Sequence, residues 1–283
     1  MESYVSLDRF HQIINKYEDP RIRHYFLMSS PIPTVILTAI YLISVKVTLP
    51  GYMKDRKPFQ LKKFVIFYNF IQVLYSTWLF YGFLTGGWLG SKYNLECFKP
   101  RADKNIIFVA YMYYLSKFTE FMDTILFVLR KKDNQVTNLH LYHHCIMPIG
   151  SWIAVKYVPD STMTFLGLIN SFIHIIMYTY YMLSAIGPEM QKYLWWKKYV
   201  TVLQLVQFVL CLMNNVHAAL FGCLPIAISW WNISQSTLFF LMFFDFYKQA
   251  YNKKSSKITT NGITKNTDLK NNCINDKLHE KLQ

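Results

Sequence analysis

Apolar runs long enough to cross a membrane recur along this chain, and they limit its fold more than any other feature. A bilayer core about 30 Å thick needs about 20 mainly apolar residues in a helix. Hydrophobic residues make up 53% of the 283 residues, while charged residues make up 16%, below the roughly 25% of soluble domains. The sequence therefore predicts an all-α polytopic membrane protein rather than a soluble enzyme with an anchor.

Seven segments are predicted to form transmembrane helices, here called spans one to seven. They are residues 32–47, 64–84, 106–129, 136–158, 163–186, 199–220 and 225–246. The first 30 residues are polar and mix acidic with basic side chains, so no signal peptide is expected. We predict a polar segment over 1–30, a seven-span domain over 31–247 and a disordered, lysine-rich tail over 248–283.

The positions of the 30 Lys and Arg residues predict how the chain sits in the membrane. Basic residues collect in cytosolic loops. Most of them lie between spans one and two, three and four, and five and six, and after span seven. The N-terminus is therefore expected on the luminal, non-cytosolic side and the C-terminus in the cytosol. The net charge of +14 suits acidic membrane lipid or a polyanionic substrate, and nucleic acid is not an expected partner.

Two cysteines are expected to face the same non-cytosolic side. Cys97 lies between spans two and three, and Cys223 lies between spans six and seven. If that side is oxidising, as in the lumen of the endoplasmic reticulum, these two are the pair positioned to form a disulfide. Such a bond would close a long loop and tie the ends of four spans together. The alternative is two free thiols.

The strongest functional signal is HLYHH, here called the histidine box, at the start of span four. His140, His143 and His144 stand at i, i+3 and i+4, so a helix would present them from one face. Ionisable side chains at membrane depth are costly, and such a cluster is by default a functional site.

Span three carries the densest intramembrane charge, in KFTEFMDT. Lys117, Glu120 and Asp123 are spaced to form one polar stripe, and they must pair with one another or with facing helices. The stripe could serve only to hold the bundle together, but we interpret it as also orienting the histidines by accepting their second N–H. Because the loop over 130–135 is short, we expect the stripe and the box at similar depth, in the cytosolic half.

Spans five and six add two more polar faces. They are Asn170, His174, Tyr178 and Tyr181 in NSFIHIIMYTYY, and Thr201, Gln204 and Gln207 in TVLQLVQ. By itself, the second face would be interpreted as a set of residues that form hydrogen bonds between helices. In a chain that already carries a histidine box, we interpret His174 as part of the site.

Two chemistries and one non-enzymatic role remain open for these residues. Histidine boxes bind metal in membrane desaturases and hydroxylases. The four histidines at the right depth are too few for a di-iron centre, although spacing does not exclude one zinc ion. Alternatively, an imidazole takes an acyl group from a thioester while others move protons. Seven spans also suggest a heptahelical receptor or transporter. The polar groups are expected in the cytosolic half of the membrane, which argues against an extracellular ligand pocket.

KFTEFMDT, HLYHH, NSFIHIIMYTYY and TVLQLVQ, in this order and spacing, resemble the fatty acid elongase (ELO/ELOVL) family of very-long-chain 3-ketoacyl-CoA synthases, from about Phe26 to Tyr251. The resemblance implies a multi-pass protein of the endoplasmic reticulum membrane, in which spans two to seven form a bundle or barrel around an acyl tunnel. The implied acyltransferase activity is a decarboxylative Claisen condensation of long-chain acyl-CoA with malonyl-CoA, without a metal or redox cofactor. The implied partners are membrane lipid, the ketoreductase, dehydratase and enoyl reductase of the elongation cycle, and a second copy in a homodimer.

The resemblance also implies roles for individual residues. His143 would carry the acyl group as an acyl-imidazole. Proton transfer and enolate stabilisation would fall to His140, His144, His174 and Asn170. Glu120 and Asp123 would orient the imidazoles, and Lys117 would balance their charge. The substrate-binding residues would be Tyr178, Tyr180, Tyr181, Thr201, Gln204 and Gln207 in the tunnel, with Arg130, Lys197, Lys198 and Lys248 for the CoA phosphates.

Overall fold

Helices make up all the regular secondary structure in the part of the chain that the structure describes. This structure is a computed structural model that describes residues 12–89 and 104–252. Its principal helices are α1 (Ile32–Ile43), α2 (Leu49–Met53), α3 (Lys62–Phe83), α4 (Lys104–Thr119), α5 (Phe121–Leu129), α6 (Asn138–Tyr157), α7 (Thr164–Ile186), α8 (Pro188–Gln191), α9 (Lys197–Leu220) and α10 (Ile226–Tyr247). The π-helical turns Ser44–Thr48, Leu84–Trp88 and Lys248–Asn252 follow α1, α3 and α10, and the 3-10 turn Asp133–Gln135 precedes α6. The predicted all-α class is confirmed.

Among the residues that the structure describes, four helical stretches are long and apolar enough to cross a membrane. They are Ile32–Met53, Lys62–Trp88, Thr164–Ile186 and Lys197–Leu220. The other three predicted spans coincide with α4 and α5, with α6 and with α10, which carry more polar side chains. Glu120 separates α4 from α5, so the predicted continuous third span is divided at its polar stripe. The count of seven spans stays a prediction.

The helices pack around a core rich in aromatic side chains. α3 packs against α7, α4 against α6, and α9 against both α7 and α10. Phe83, Tyr114 and Trp152, from three of these helices, belong to one buried cluster. The close approach of α3 to α7 depends on Gly167, because a Cβ at that position would lie 2.6 Å from Cζ of Phe83.

A buried ion pair binds the N-terminal segment to the last turn of α6. Lys156 is fully buried, pairs with Glu18 and donates to the Met28 carbonyl at 2.8 Å. Burial raises the pKa of Glu18, but its hydrogen bonds and charge interactions with Lys156 and Arg23 outweigh burial, and the pKa is lowered. α6 therefore carries the histidine box near its first turn and the docked segment at its other end.

Some predictions fall wholly or partly outside the described residues. Cys223 takes part in a disulfide bond, whereas Cys145 and Cys211 are free. The predicted partner, Cys97, lies outside the described residues, so the pairing stays a prediction.

Residues 1–11 and 253–283, which belong to the predicted N-terminal segment and tail, are also outside this range. Lys248–Asn252 form a helical turn, where the start of the disordered tail is predicted.

Gly167→Ala is expected to destabilise the protein by about 1–3 kcal/mol, because added atoms in a packed core force Phe83 or the helices to shift. Gly150→Ala is the matched control, since a Cβ there meets its nearest atom, Trp231 Nε1, at 3.8 Å. Thermal unfolding in detergent should show a lower midpoint for Gly167→Ala and no loss for Gly150→Ala. A wild-type midpoint for Gly167→Ala would contradict the close contact of α3 with α7.

Candidate active site

A mainly apolar cavity lies between six of the helices. Its volume is about 920 Å³, including the part that is open to solvent, and its lining comes from α3, α4, α6, α7, α9 and α10. Along α6 the lining runs from His143 to Val155. At about 1.5 Å of rise per residue, this wall is roughly 20 Å long. The polar side chains at the box end of the lining include His143, Tyr113, Asn170 and Gln207.

The three box histidines do not all face the cavity. His143 lines it and is half-buried. His140 is not part of the lining, and its Nε2 lies 2.7 Å from Thr124 Oγ1. His144 is buried between them, with its ring 4.2 Å from that of His140 and 5.4 Å from that of His143. The structure thus presents one imidazole to the cavity and holds two behind it.

Lys117 and Glu120 form a buried ion pair beside the box. Lys117 Nζ lies 2.6 Å from Glu120 Oε1, and both side chains are almost fully buried. His174 Nδ1 lies 3.4 Å from the same carboxylate oxygen, which is longer than a well-formed hydrogen bond. The pair joins α4 to α7 through a second contact of Lys117, to Asn170 Oδ1 at 3.1 Å.

Asn170 can present donors to the cavity because its oxygen is already occupied. Oδ1 accepts from Tyr113 OH at 2.9 Å and from Lys117 Nζ at 3.1 Å. These two bonds fix the amide plane and leave the Nδ2 donors for another acceptor. Since Asn170 lines the cavity, this amide is placed to stabilise negative charge on a bound molecule.

The second carboxylate of the stripe pairs with a tyrosine. Asp123 Oδ2 accepts from Tyr178 OH at 2.8 Å, and both side chains are buried. We expect Glu120 and Asp123 to orient the box histidines, but the contacts found among the described residues are different. Glu120 lies beside His174 of α7, while Asp123 is held by α7 through Tyr178.

Of the residues predicted to line a tunnel, Gln207 borders the cavity. Its Oε1 is buried and has no hydrogen-bond partner among the described residues. The others lie outside the cavity lining: Tyr178, Tyr180, Tyr181, Thr201 and Gln204. Gln204 Nε2 lies 3.7 Å from Met177 Sδ, and the Tyr180 ring packs on Trp196.

The cations predicted to bind phosphates lie outside the cavity. Lys197 and Lys198 are exposed at the start of α9, and Lys248 is exposed just after α10. Lys198 Nζ lies 5.8 Å from the centre of the Tyr247 ring, so these two helix ends adjoin. Arg130 directly follows the last residue of α5 and is half-buried. The three exposed lysines form a basic surface suited to a polyanion.

Three further residues of this site are not predicted from the sequence: Tyr113, Phe239 and Tyr41. Tyr113 stands four residues before Lys117, and this spacing indicates that the two side chains share one face of the helix. Phe239, with its ring 5.4 Å from that of His143, comes from a run of apolar residues without a distinguishing pattern. Tyr41 reaches the site from α1, a helix that contains no charged residue.

The described residues contain no group of three or more His, Cys, Asp or Glu side chains that could hold a metal ion. His140 and His143 are directed to different surroundings, one to Thr124 and one to the cavity. Within this part of the chain, the donor groups therefore do not converge in the manner of a metal site.

Comparison with known proteins identifies the family. The ELO family, described as GNS1/SUR4, matches residues 26–259. The chain belongs to the ELO family. A very long chain fatty acid elongase of Aedes aegypti is 46% identical over 252 residues, covering 87% of this chain and 70% of that protein. Very long chain fatty acid elongase 7 of Drosophila melanogaster is 45% identical over 258 residues, covering 88% and 78%.

A mammalian member of the ELO family extends this similarity over its whole length. Very long chain fatty acid elongase 1 of Mus musculus is 40% identical over 293 aligned positions, covering 96% of this chain and 100% of that protein. The family predicted from four motifs is confirmed.

In this ELO-family protein, Lys117→Met is expected to lower the free energy of unfolding by about 3–5 kcal/mol, because Glu120 is left buried without its partner. Combining Lys117→Met with Glu120→Gln removes both charges and should recover most of that loss. Unfolding in detergent micelles, followed for the single and double variants, measures the difference. A double variant no more stable than Lys117→Met would contradict the pairing.

Proposed function

We propose that this chain catalyses the condensation step of fatty acid elongation, as a very-long-chain 3-oxoacyl-CoA synthase. One observation carries the proposal: His143 is the box histidine that borders the apolar cavity. An acyl chain in that cavity would bring its thioester carbonyl to the imidazole. Membership of a family whose curated relatives are named elongases supports the same activity.

The reaction divides into two steps. A ring nitrogen of His143 attacks the thioester carbonyl, the C–S bond breaks, and the imidazole proton leaves with the sulfur as free CoA. Malonyl-CoA then loses CO2, and the electron pair of the broken C–C bond forms an enolate. The enolate carbon attacks the acyl-imidazole, the C–N bond breaks, and His143 regains one proton from the medium. The products are 3-ketoacyl-CoA, CO2 and CoA.

The other polar groups support these steps. Asn170 would donate from Nδ2 to the enolate oxygen, because its own oxygen is held by Tyr113 and Lys117. Histidines beside the reacting imidazole would exchange protons or fix its orientation: His140, His144 and His174. Glu120 and Lys117 would set the local charge, while Asp123 would anchor Tyr178.

The substrates are long-chain acyl-CoA and malonyl-CoA. Condensation is redox-neutral, so the proposed chemistry needs no metal or redox cofactor. The acyl chain would occupy the cavity past Gln207. Five of the residues predicted to bind the acyl chain lie outside the lining of that cavity: Tyr178, Tyr180, Tyr181, Thr201 and Gln204. The CoA phosphates would bind the basic side chains outside it: Arg130, Lys197, Lys198 and Lys248.

We also infer seven spans in the membrane of the endoplasmic reticulum, with a luminal N-terminus and a cytosolic C-terminus. The outward-facing apolar residues of α3, such as Phe67 and Leu74, suit contact with membrane lipid. The product carries a 3-keto group, which further elongation must remove. The expected partners are therefore a ketoreductase, a dehydratase and an enoyl reductase, together with a second copy of this chain.

Microsomes containing the protein should incorporate labelled malonyl-CoA into 3-ketoacyl-CoA, measured by mass spectrometry with acyl-CoAs of graded length. His143→Ala is expected to lower the rate at least about a hundredfold, because the nucleophile is removed. His217→Ala is the control, since this histidine packs on Phe221 and does not border the cavity.

Two results would count against the proposal. Condensation that persists in His143→Ala would remove the assignment of the nucleophile. Wild-type protein that adds two carbons to no acyl-CoA would contradict the function itself.

A further inference from the structure

A chain of hydroxyl groups connects α1 to the histidine box. Tyr41 OH lies 2.7 Å from Thr124 Oγ1, and Thr124 Oγ1 lies 2.7 Å from His140 Nε2. Tyr41 is 4% exposed and Thr124 is 0% exposed, so solvent does not replace the contact between them. The Tyr41 ring stacks on Phe121, with centroids 4.0 Å apart and planes at 11°, which fixes the direction of the hydroxyl.

The protons of this chain follow from the count of donors and acceptors. Thr124 is the hydrogen-bond partner of Tyr41 among the described residues, so the Tyr41 proton is donated there or stays unsatisfied in the core. Thr77 and Thr119 donate to a carbonyl three or four residues earlier. Thr124 makes no such bond within the described chain, and its proton is therefore directed to His140 Nε2.

We propose that Tyr41 is a positioning residue, which acts through Thr124 to hold His140 as the neutral tautomer with its proton on Nδ1 and with Nε2 accepting. In its consequence for catalysis, this inference rests on the proposed function. If Nε2 carried the proton, Thr124 Oγ1 would accept from His140, and either the Thr124 proton or the Tyr41 proton would be left without an acceptor. His140 therefore supports the box and does not exchange protons through Nε2.

The effect reaches the cavity through His144. Its Nδ1 is buried without a hydrogen-bond partner among the described residues, so packing holds this ring in place. The ring lies 4.2 Å from His140 and 6.3 Å from Tyr41, and its other neighbour is His143, at 5.4 Å. Loss of the Tyr41 hydroxyl should thus loosen the orientation of His143. The cavity itself should be unaffected, because its lining includes no residue of α1 within the described chain.

The same helix provides a matched control. Thr34 Oγ1 and Tyr114 OH lie 2.7 Å apart in a second buried contact between α1 and the third predicted span. Tyr114→Phe removes the same chemical group as Tyr41→Phe, but from a pair that does not include a box residue.

The tautomer can be measured directly. Full-length protein with ring-¹⁵N histidine in lipid nanodiscs should show His140 with an unprotonated, hydrogen-bonded Nε2, assigned by the loss of its signals in His140→Gln. Tyr41→Phe and Thr124→Val should change that signal, whereas Tyr114→Phe and Thr124→Ser should retain it. A protonated Nε2 in the wild type, or an unchanged signal in Tyr41→Phe, would overturn the proposal.

Kinetics test the consequence. Tyr41→Phe and Thr124→Val are expected to lower kcat for condensation about tenfold, with KM for both substrates within about twofold of wild type. Thr124→Ser keeps the hydroxyl and should therefore have the wild-type kcat, and Tyr114→Phe should also leave kcat unchanged. An equal loss in Tyr41→Phe and Tyr114→Phe would show a merely structural role. If the wild type shows no condensation, the proposed function fails, while the ¹⁵N spectra still decide the role of Tyr41.

Discussion

The buried Lys117–Glu120 pair is the interaction on which the arrangement of the site depends. A charge buried inside the protein needs a partner there, because water cannot solvate it. Lys117 therefore contacts both Glu120 and Asn170, and Glu120 marks the point where α4 ends and α5 begins. Through these contacts one ion pair fixes α7 against the third predicted span. It also determines which end of the Asn170 amide is left for the cavity.

Helix geometry explains why the three box histidines serve different surroundings. At about 100° per residue, positions four apart diverge by about 40° and neighbouring positions by about 100°. His140 and His144 therefore lie together, while His143 turns away from His144 toward the cavity. The spacing i, i+3, i+4 correctly places the histidines on one half of α6. The facing helices then determine which imidazole borders the cavity and which are held away from it.

The sequence predicts the features that depend on local pattern and misses those that depend on helix packing. Apolar runs and family motifs predict the all-α class and the ELO family, and both are confirmed. The division of the third span at Glu120 is not visible in its hydropathy. The contact of Tyr41 with Thr124 joins residues far apart in sequence, and an uncharged helix gives no sign of it. The sequence does not predict that the tyrosines of α7 lie outside the cavity lining. Hydrophobic periodicity indicates which residues share a helix face, but not which neighbour that face contacts.

The central claim is that His143 carries the acyl group, and covalent labelling tests it most directly. Purified protein would be incubated with a long-chain acyl-CoA in the absence of malonyl-CoA, digested and analysed by mass spectrometry. We expect release of free CoA and an acyl adduct on the peptide that contains His143, and this adduct should be lost on addition of malonyl-CoA. An adduct on Cys145, or no release of CoA until malonyl-CoA is present, would contradict it.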